Sequence, residues 1–100
     1  MKQTMKDLPE TERPYEKCIR EGEETLSDSE LLSVILRCGT KGCSSLALAN
    51  NILKHMQESS YPGLPGLIHS SLADLEKIHG VGKVKAVQLK CIGELSKRIS

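Results

Sequence analysis

The chain has 100 residues, of which 38% are hydrophobic, and its aromatic residues of the Phe, Trp and Tyr type are only Tyr15 and Tyr61. This composition predicts one small domain with an aliphatic core, and it argues against a platform that stacks the bases of single-stranded nucleic acid. No apolar run is long enough to span a membrane, and the N-terminus lacks the apolar stretch of a signal peptide. The sequence therefore predicts a cytoplasmic protein that does not bind membranes.

The net charge of +1 is divided unevenly along the chain. Residues 1–36 carry five basic and nine acidic side chains, whereas residues 37–100 carry nine basic and four acidic ones. The positive charge of the C-terminal part favours an anionic partner there, which the overall charge conceals.

The four cysteines are expected to be reduced thiols in the cytoplasm. Cys38 and Cys43 have a spacing that zinc sites permit, but no Cys-x-x-Cys pair or nearby histidine completes a tetrahedral set. The sequence thus predicts no metal site and no cofactor. We expect small buried or half-buried hydrophobic residues instead, at Cys18, Cys38, Cys43 and Cys91.

Two helices are predicted in the first third, after a flexible arm over residues 1–8. Pro14 suits the first position of a helix that Gly22 ends. One face of this helix carries Tyr15, Cys18 and Ile19. Ser27 and Glu30 form a capping box ahead of the next helix, which we expect to be central and buried on most sides. Its apolar residues are Leu31, Leu32, Ile35 and Leu36.

Three more helices complete the prediction, and no segment alternates apolar and polar residues as a strand would. One begins at Ser44 or Ser45, with apolar residues at Leu46, Ala49, Ile52, Leu53 and Met56. Residues 59–66 contain two prolines and two glycines and predict a loop. A short helix then runs from Ser70 or Ser71 through Ile78, with a stripe of Leu72, Leu75 and Ile78. The last helix is predicted to bury Val84, Val87, Cys91, Leu95 and Ile99. The fold class is therefore all-α with about five short helices.

A glycine turn separates the last two helices, in the run Ile78-His79-Gly80-Val81-Gly82-Lys83-Val84-Lys85-Ala86. Gly80 and Gly82 can adopt φ > 0 and keep side chains out of a tight reversal. The first amides of the next helix have no acceptor within that helix, and its dipole favours an anion. We predict a backbone-phosphate clamp, in which the amides of residues 81–84 donate to one phosphate and two lysines add positive charge. Alternatively, the glycines only end one helix and let two helices pack closely.

The same order of helix, paired glycines and helix occurs earlier, around Gly39-Thr40-Lys41-Gly42. Aligning Gly42 with Gly82 divides residues 9–100, a single helical domain, into two similar units of about 27–57 and 71–99. Packed about a pseudo-two-fold axis, these units would point both turns toward one face. Two such turns could hold the phosphates of both strands of a duplex.

The chain is not predicted to be an enzyme, since no nucleophile, base and orienting group come together in it and no catalytic residue is assigned. A nucleotide-binding P-loop also fails, because Val84 follows Gly82-Lys83 and Lys77 stands where the upstream glycine is required.

Several segments resemble the RadC family of proteins, in the right order from about residue 7 onward. The run 78–86 resembles the helix-hairpin-helix motif of DNA-binding proteins, apolar-x-Gly-apolar-Gly-x-x-x-Ala. Residues 8–17 and 26–32 look like the opening of RadC-family proteins. Residues 36–44 are similar to the family segment Leu-Arg-Thr-Gly-Thr-Lys-Gly-Lys-Ser, although Cys38 replaces its first threonine and Cys43 its last lysine.

The resemblance implies a tandem helix-hairpin-helix bundle of the RuvA domain 2-like kind, which in full-length members precedes a JAB/MPN metalloprotease-like domain. The zinc signature of that second domain, His-x-His with a downstream Asp, is absent here, where His55, His69 and His79 are isolated. We therefore expect a truncated domain. On this reading the protein is a non-sequence-specific DNA-binding module of a RadC-like DNA repair protein.

The expected partner is duplex or branched DNA, bound through its phosphates. The expected contacts are Gly80, Val81, Gly82, Lys83, Val84 and Lys85 of the second hairpin, together with Arg37, Gly39, Thr40, Lys41, Gly42 and Ser44 of the first. The loss of the family lysine at Cys43 weakens the first hairpin. The alternative is a protein-interaction or scaffold domain, which docks a partner or the missing JAB/MPN domain.

Overall fold

The computed structural model describes residues 13–37 and 44–100. Within these ranges the regular structure is helical and no strand occurs, which confirms the all-α prediction. The helices are α1 (Arg13–Glu21), α2 (Asp28–Ile35), α3 (Ser45–Gln57), α4 (Gly66–His69), α5 (Leu72–Leu75) and α6 (Lys83–Ile99), with a 3₁₀ turn over Glu23–Thr25. None of the helices in these ranges combines the length and apolar character that a membrane crossing requires. The predicted arm (1–8), the first glycine break (39–42), Cys38 and Cys43 lie outside the described residues.

The chain forms two compact units, Met1–Ala49 and Asn50–Ser100, and the division falls inside α3. In the first unit α1 packs against α2. The predicted capping box begins α2: the Glu30 amide donates to Ser27 Oγ at 3.2 Å, and the Ser27 amide donates to Glu30 Oε1 at 2.9 Å. Lys17 Nζ lies 3.2 Å from the same carboxylate oxygen and ties α1 to the start of α2.

The prediction that α2 is buried on most sides is confirmed except at Ile35. Within the helix Leu32 and Ser33 are buried and residues 29–31 and 34 are half-buried, whereas Asp28 is exposed and 56% of Ile35 is exposed. The continuous apolar run of the sequence did not distinguish the exposed isoleucine from its buried neighbours. The buried hydrophobic side chains of this unit are Leu26, Leu32, Leu36, Leu48 and Ala49.

In the second unit α6 packs against α4 and α5. Gly93 allows this approach, since a Cβ placed on it would lie 2.9 Å from the Leu67 carbonyl oxygen and 3.2 Å from the Ile68 Cα. Real Cβ atoms do not approach backbone so closely, so only glycine fits. The buried hydrophobic side chains of this unit are Ile52, Met56, Leu67, Leu75, Ile78, Val81, Ala86 and Leu89.

The segment before α6 differs from the prediction in two ways. A short helix, α4, begins at Gly66, where a loop was expected, and it ends where the Ser70 amide and hydroxyl both donate to the Gly66 carbonyl, at 2.9 and 2.7 Å. Ser71 caps α5 as predicted, but that helix ends at Leu75 rather than at Ile78. The Ile78 amide instead donates to the Leu75 carbonyl three residues back, which is a tight turn rather than a continuing α-helix.

The buried face of α6 is not the predicted one. Its buried residues are Ala86, Leu89 and Gly93. The side chains predicted to be buried are exposed instead: Val84 by 72%, Val87 by 45%, Leu95 by 60% and Ile99 by 77%, with Cys91 also exposed. The prediction from hydropathy placed the larger apolar side chains of α6 in the core. In the structure the buried face instead contains Ala86 and Gly93, because these small residues let α4 approach α6 closely.

Candidate nucleic-acid interface

The second glycine turn joins α5 to α6 and has the reversal that the sequence predicts at Gly80, whose φ is +91°. Gly82 differs from the expectation, because its φ of −93° and ψ of −170° describe extended backbone that other residues also adopt. Val81 lies between them with its side chain buried, and its amide donates to the Ile78 carbonyl at 3.0 Å. That amide already has an acceptor within the turn. The amides that follow Gly82 are the remaining candidates for the predicted phosphate contact.

Gly82 is the N-cap residue of α6, and it has the backbone conformation of Ser27 and Ser71, two of the serines that cap other helices. Ser27 and Ser71 have φ/ψ of −72°/169° and −81°/164°, and each hydroxyl accepts from an amide in the first turn of its helix. Gly82 provides no such side-chain bond, and a Cβ built on it would meet nothing within 4 Å. Neither backbone strain nor lack of space therefore requires glycine here.

This observation separates the two interpretations of the turn. Close packing explains Gly93 but does not explain Gly82, which is exposed and faces open space. Gly82 places no side chain over the start of α6. The amides of Lys83 and Val84 lie in the first turn and have no acceptor within their own helix. The N-terminus of a 17-residue helix also carries a partial positive charge.

The two lysines of the turn lie in different environments. Lys83 is exposed beside the uncapped amides, whereas Lys85 is half-buried. Val84, the next residue of the first turn, is 72% exposed. Lys83 is thus the exposed lysine that lies nearest to the first-turn amides along the chain.

Helix α3 contacts the turn, and a groove that contains two lysines lies at this contact. The Asn51 side-chain amide donates to the His79 carbonyl at 3.3 Å, immediately before Gly80. The groove at this contact is lined by Asn51, Lys54, His55, Glu58, Lys77, Ile78 and His79. Sequence reasoning did not single out Lys54 or Lys77 for this site, because they lie 23 positions apart in the chain. Only the packing of α3 beside the turn brings them together.

The first predicted hairpin is described only at its edges. The Arg37 guanidinium lies over the Tyr15 ring, 4.9 Å from the ring centroid. Ser44 Oγ accepts from the Ala47 amide at 3.1 Å and thereby caps α3. The residues outside the described part of the chain are Gly39, Thr40, Lys41 and Gly42. The alignment of both turns on one face therefore stays a prediction.

Of the histidines, His79 lies in the turn and His55 lines the adjoining groove. His55 Nε2 is 3.2 Å from Asp74 Oδ2, and the His69 ring stacks on Tyr61 with 3.7 Å between ring centroids. Cys18 is half-buried as expected, but Cys91 is exposed, so the prediction of a buried residue is wrong there. Among the described residues no three His, Cys, Asp or Glu side chains group as metal ligands would.

Comparison with known proteins gives a consistent family match. A family model described as UPF0758 N-terminal matches residues 5–87. A UPF0758 protein of Clostridium botulinum strain Hall is 49% identical over 94 residues, which cover 94% of this chain and 39% of that protein. A UPF0758 protein of strain Eklund 17B is 45% identical over 94 residues, with the same coverage. The chain therefore spans 39% of the length of these curated relatives. No solved structure matches it.

Proposed function

The chain belongs to the UPF0758 family, matching its N-terminal region, and from this premise we propose that it binds the phosphate backbone of DNA without sequence specificity. The observation that supports this most is the uncapped start of α6, where Gly82 stands in a serine-like N-cap conformation beside open space. The resemblance of residues 78–86 to a helix-hairpin-helix motif points in the same direction. We further propose that the module is the helix-hairpin-helix domain of a RadC-like protein.

In the proposed complex the amides of Lys83 and Val84 donate to the oxygens of one phosphate, at the positive end of the α6 dipole. The Lys83 ammonium adds Coulomb attraction, and Lys54 and Lys77 extend the positive surface along the adjoining groove. These contacts read no base edges, so sequence preference is expected to be small. For two to four phosphates, the expected Kd is about 10⁻⁴ to 10⁻⁶ M, and log K falls against log salt with a slope of roughly −2 to −4.

The decisive experiment places a capping hydroxyl at the start of α6, beside the proposed phosphate donors. In the Gly82→Ser variant, the new hydroxyl can accept from the first turn of α6 as Ser27 and Ser71 do in their helices. Such a cap leaves the stability of the helix unchanged or slightly higher. It should nevertheless weaken DNA binding several-fold, measured by fluorescence anisotropy with duplex and junction DNA across a salt series. Gly82→Val, checked by circular dichroism, tests the same point by steric obstruction.

A matched pair of charge variants controls for general electrostatics. Lys83→Gln with Lys85→Gln removes the lysines of the turn, and Lys97→Gln with Arg98→Gln removes two positive charges about 20 Å along the same helix. We expect a larger loss of affinity and a shallower salt slope for the first pair. The proposal is wrong if the folded Gly82→Ser variant binds like the wild type and both charge pairs lose the same affinity.

A second candidate is a protein-interaction or scaffold role, and the exposed apolar face of α6 favours it. In the longer relatives this face could receive the region beyond the N-terminal domain, which by resemblance to RadC would be a JAB/MPN domain. The test adds that region of a relative in trans and compares its binding to wild type and to a Val87→Glu, Leu95→Glu variant. Absence of catalysis in this chain and a cytoplasmic location stay predictions.

A further inference from the structure

Helix α6 is apolar on two opposite faces. Its buried face contains Ala86, Leu89 and Gly93. At about 100° per residue, Cys91 points about 160° away from Leu89, so it lies nearly opposite the buried face. We call the apolar residues of that opposite side the outer stripe: Val84, Val87, Cys91, Leu95 and Ile99. A helix that is apolar on both sides is typical of one that is covered on both sides.

The outer stripe is large for a surface without a partner. Its four aliphatic members are between 45% and 77% exposed. Together with Cys91 they expose on the order of 400 Å², within the range of the largest apolar patches of monomers, which are often functional. The stripe borders a groove whose wall on the α4 and α5 side is formed by Ile68 and Leu72. Such a surface fits another helix laid along α6.

We propose that the outer stripe binds α6 of a second copy of this chain, with the two helices antiparallel and the two Cys91 residues near the two-fold axis. This inference rests on the protein-interaction candidate above, and it places a second copy of the chain on the same face instead of the region beyond the N-terminal domain. A two-fold interface requires that residue i meets residue j while j meets i. The stripe has that symmetry about Cys91, because Val87 lies four residues before it and Leu95 four residues after it. Val84 and Ile99 lie at seven and eight residues from Cys91, which is within one residue of that symmetry.

Charge selects the antiparallel orientation over the parallel one. Arg98 lies about 20° from Cys91 around the helix. Two parallel helices in register would therefore place Arg98 against Arg98 of the second copy, and like charges disfavour a helix pair. In the antiparallel arrangement Arg98 lies opposite Val84 of the second copy, and the two Arg98 residues are about 20 Å apart.

The charges that flank the stripe are already balanced within the chain. Glu94 pairs with Lys97 at 3.6 Å and with Arg98 at 3.2 Å. Lys90 donates to the Ser70 carbonyl at 2.8 Å. Repulsion between the basic edges of two copies is thereby reduced.

The interface is expected to be weak. Two stripes bury on the order of 800 Å² in total, below the roughly 1,200 Å² of stable specific interfaces. Dimerisation should therefore be dependent on concentration, with a Kd on the order of 10⁻⁵ to 10⁻³ M.

Sedimentation equilibrium of the whole chain between micromolar and millimolar concentration tests the association. We expect the wild type to form dimers and the Val87→Glu, Leu95→Glu variant to stay monomeric, with unchanged circular dichroism because both positions are exposed. Ser96→Glu with Ser100→Glu adds the same charge at exposed positions outside the stripe and should dimerise nearly as the wild type does. A wild type that is monomeric at 1 mM, or a dimer that the stripe variant does not weaken, overturns the proposal.

Disulfide crosslinking tests the orientation. With Cys18, Cys38 and Cys43 replaced by serine, Cys91 is the only thiol and should give a covalent dimer on mild oxidation. After Cys91→Ser in that background, Val87→Cys with Leu95→Cys should crosslink, whereas Val87→Cys alone should not. Crosslinking by Val87→Cys alone indicates parallel helices and overturns the antiparallel arrangement. Failure of self-association does not decide the broader interaction candidate, which the trans-binding experiment with a relative's region tests separately.

Discussion

The Asn51 side-chain amide donates a hydrogen bond to the His79 carbonyl oxygen at 3.3 Å, and this bond joins α3 to the peptide in front of Gly80. Gly80 has a φ of +91°, so the turn has its left-handed residue directly after the peptide that α3 holds. The geometry of the proposed phosphate contact therefore depends on a residue 28 positions earlier in the chain.

Replacing Asn51 with alanine should loosen the turn without unfolding the unit. A partly exposed hydrogen bond of this kind contributes about 0.5–1 kcal/mol, and we expect that loss in urea unfolding. Hydrogen exchange should become faster in the amides after Gly80. Asn50→Ala, an exposed neighbour on the same helix, is the matched control and should change little. Equal effects of the two variants would contradict a specific role for Asn51.

Gly93→Val should strongly destabilise the second unit. Its Cβ would meet the Leu67 carbonyl oxygen at 2.9 Å, and backbone cannot move aside as a flexible side chain can. We expect a loss of about 2–3 kcal/mol in the free energy of unfolding, measured by chemical denaturation. Ser96→Val places the same side chain on an exposed position of α6 and should cost less than about 0.5 kcal/mol. A tolerated Gly93→Val would show that α4 and α6 do not approach this closely.

The register of α6 can be tested with two leucines. Leu89 is fully buried and Leu95 is 60% exposed. Leu89→Ala should lower the free energy of unfolding by about 2–5 kcal/mol, whereas Leu95→Ala should lower it by less than about 0.5 kcal/mol. The unfolding experiment is run at low micromolar concentration, where the chain is expected to be monomeric. If Leu95→Ala lowered the free energy of unfolding more than Leu89→Ala, the buried face of α6 would be the one predicted from hydropathy.

The capping box of α2 should make stability depend on pH through Glu30. The Ser27 amide donates to this carboxylate, and this hydrogen bond is the largest influence that holds the pKa of Glu30 below its ordinary value. Lys17 also lowers the pKa, whereas partial burial raises it. A carboxyl with a lowered pKa in the folded state stabilises fully above its ordinary pKa, and that contribution is lost as pH falls through the folded value.

Glu30→Gln should therefore destabilise the chain by about 0.5–1 kcal/mol at pH 7, since it removes the charged acceptor of the box. The difference between wild type and variant should shrink as pH falls below 4.5, the ordinary value for this group. Unfolding free energies measured from pH 7 to pH 3 test this, with Glu76→Gln, at an exposed position, as the control. A difference that stays constant over this range would contradict the assignment.

Local signals in the sequence predicted local structure well. The capping box at Ser27 and Glu30 and the cap at Ser71 lie where they were expected, because a cap depends on a hydroxyl and an amide only three residues apart. The reversal at Gly80 was predicted equally well, since only glycine adopts its φ without strain. The predicted site at Gly80–Lys85 rests on the same kind of local signal, and its role in DNA binding stays a prediction.

The sequence by itself thus determined the helical class, most helix starts and the glycine turn, because these depend on neighbours along the chain. Only the tertiary structure decided which face of α6 is buried, since α6 has two apolar faces of similar hydropathy. The choice is made at Gly93, where the absence of a side chain lets α4 approach within contact of the helix. Packing likewise leaves Gly82 exposed beside open space and the outer stripe uncovered, and from these two surfaces we infer how the chain meets its partners.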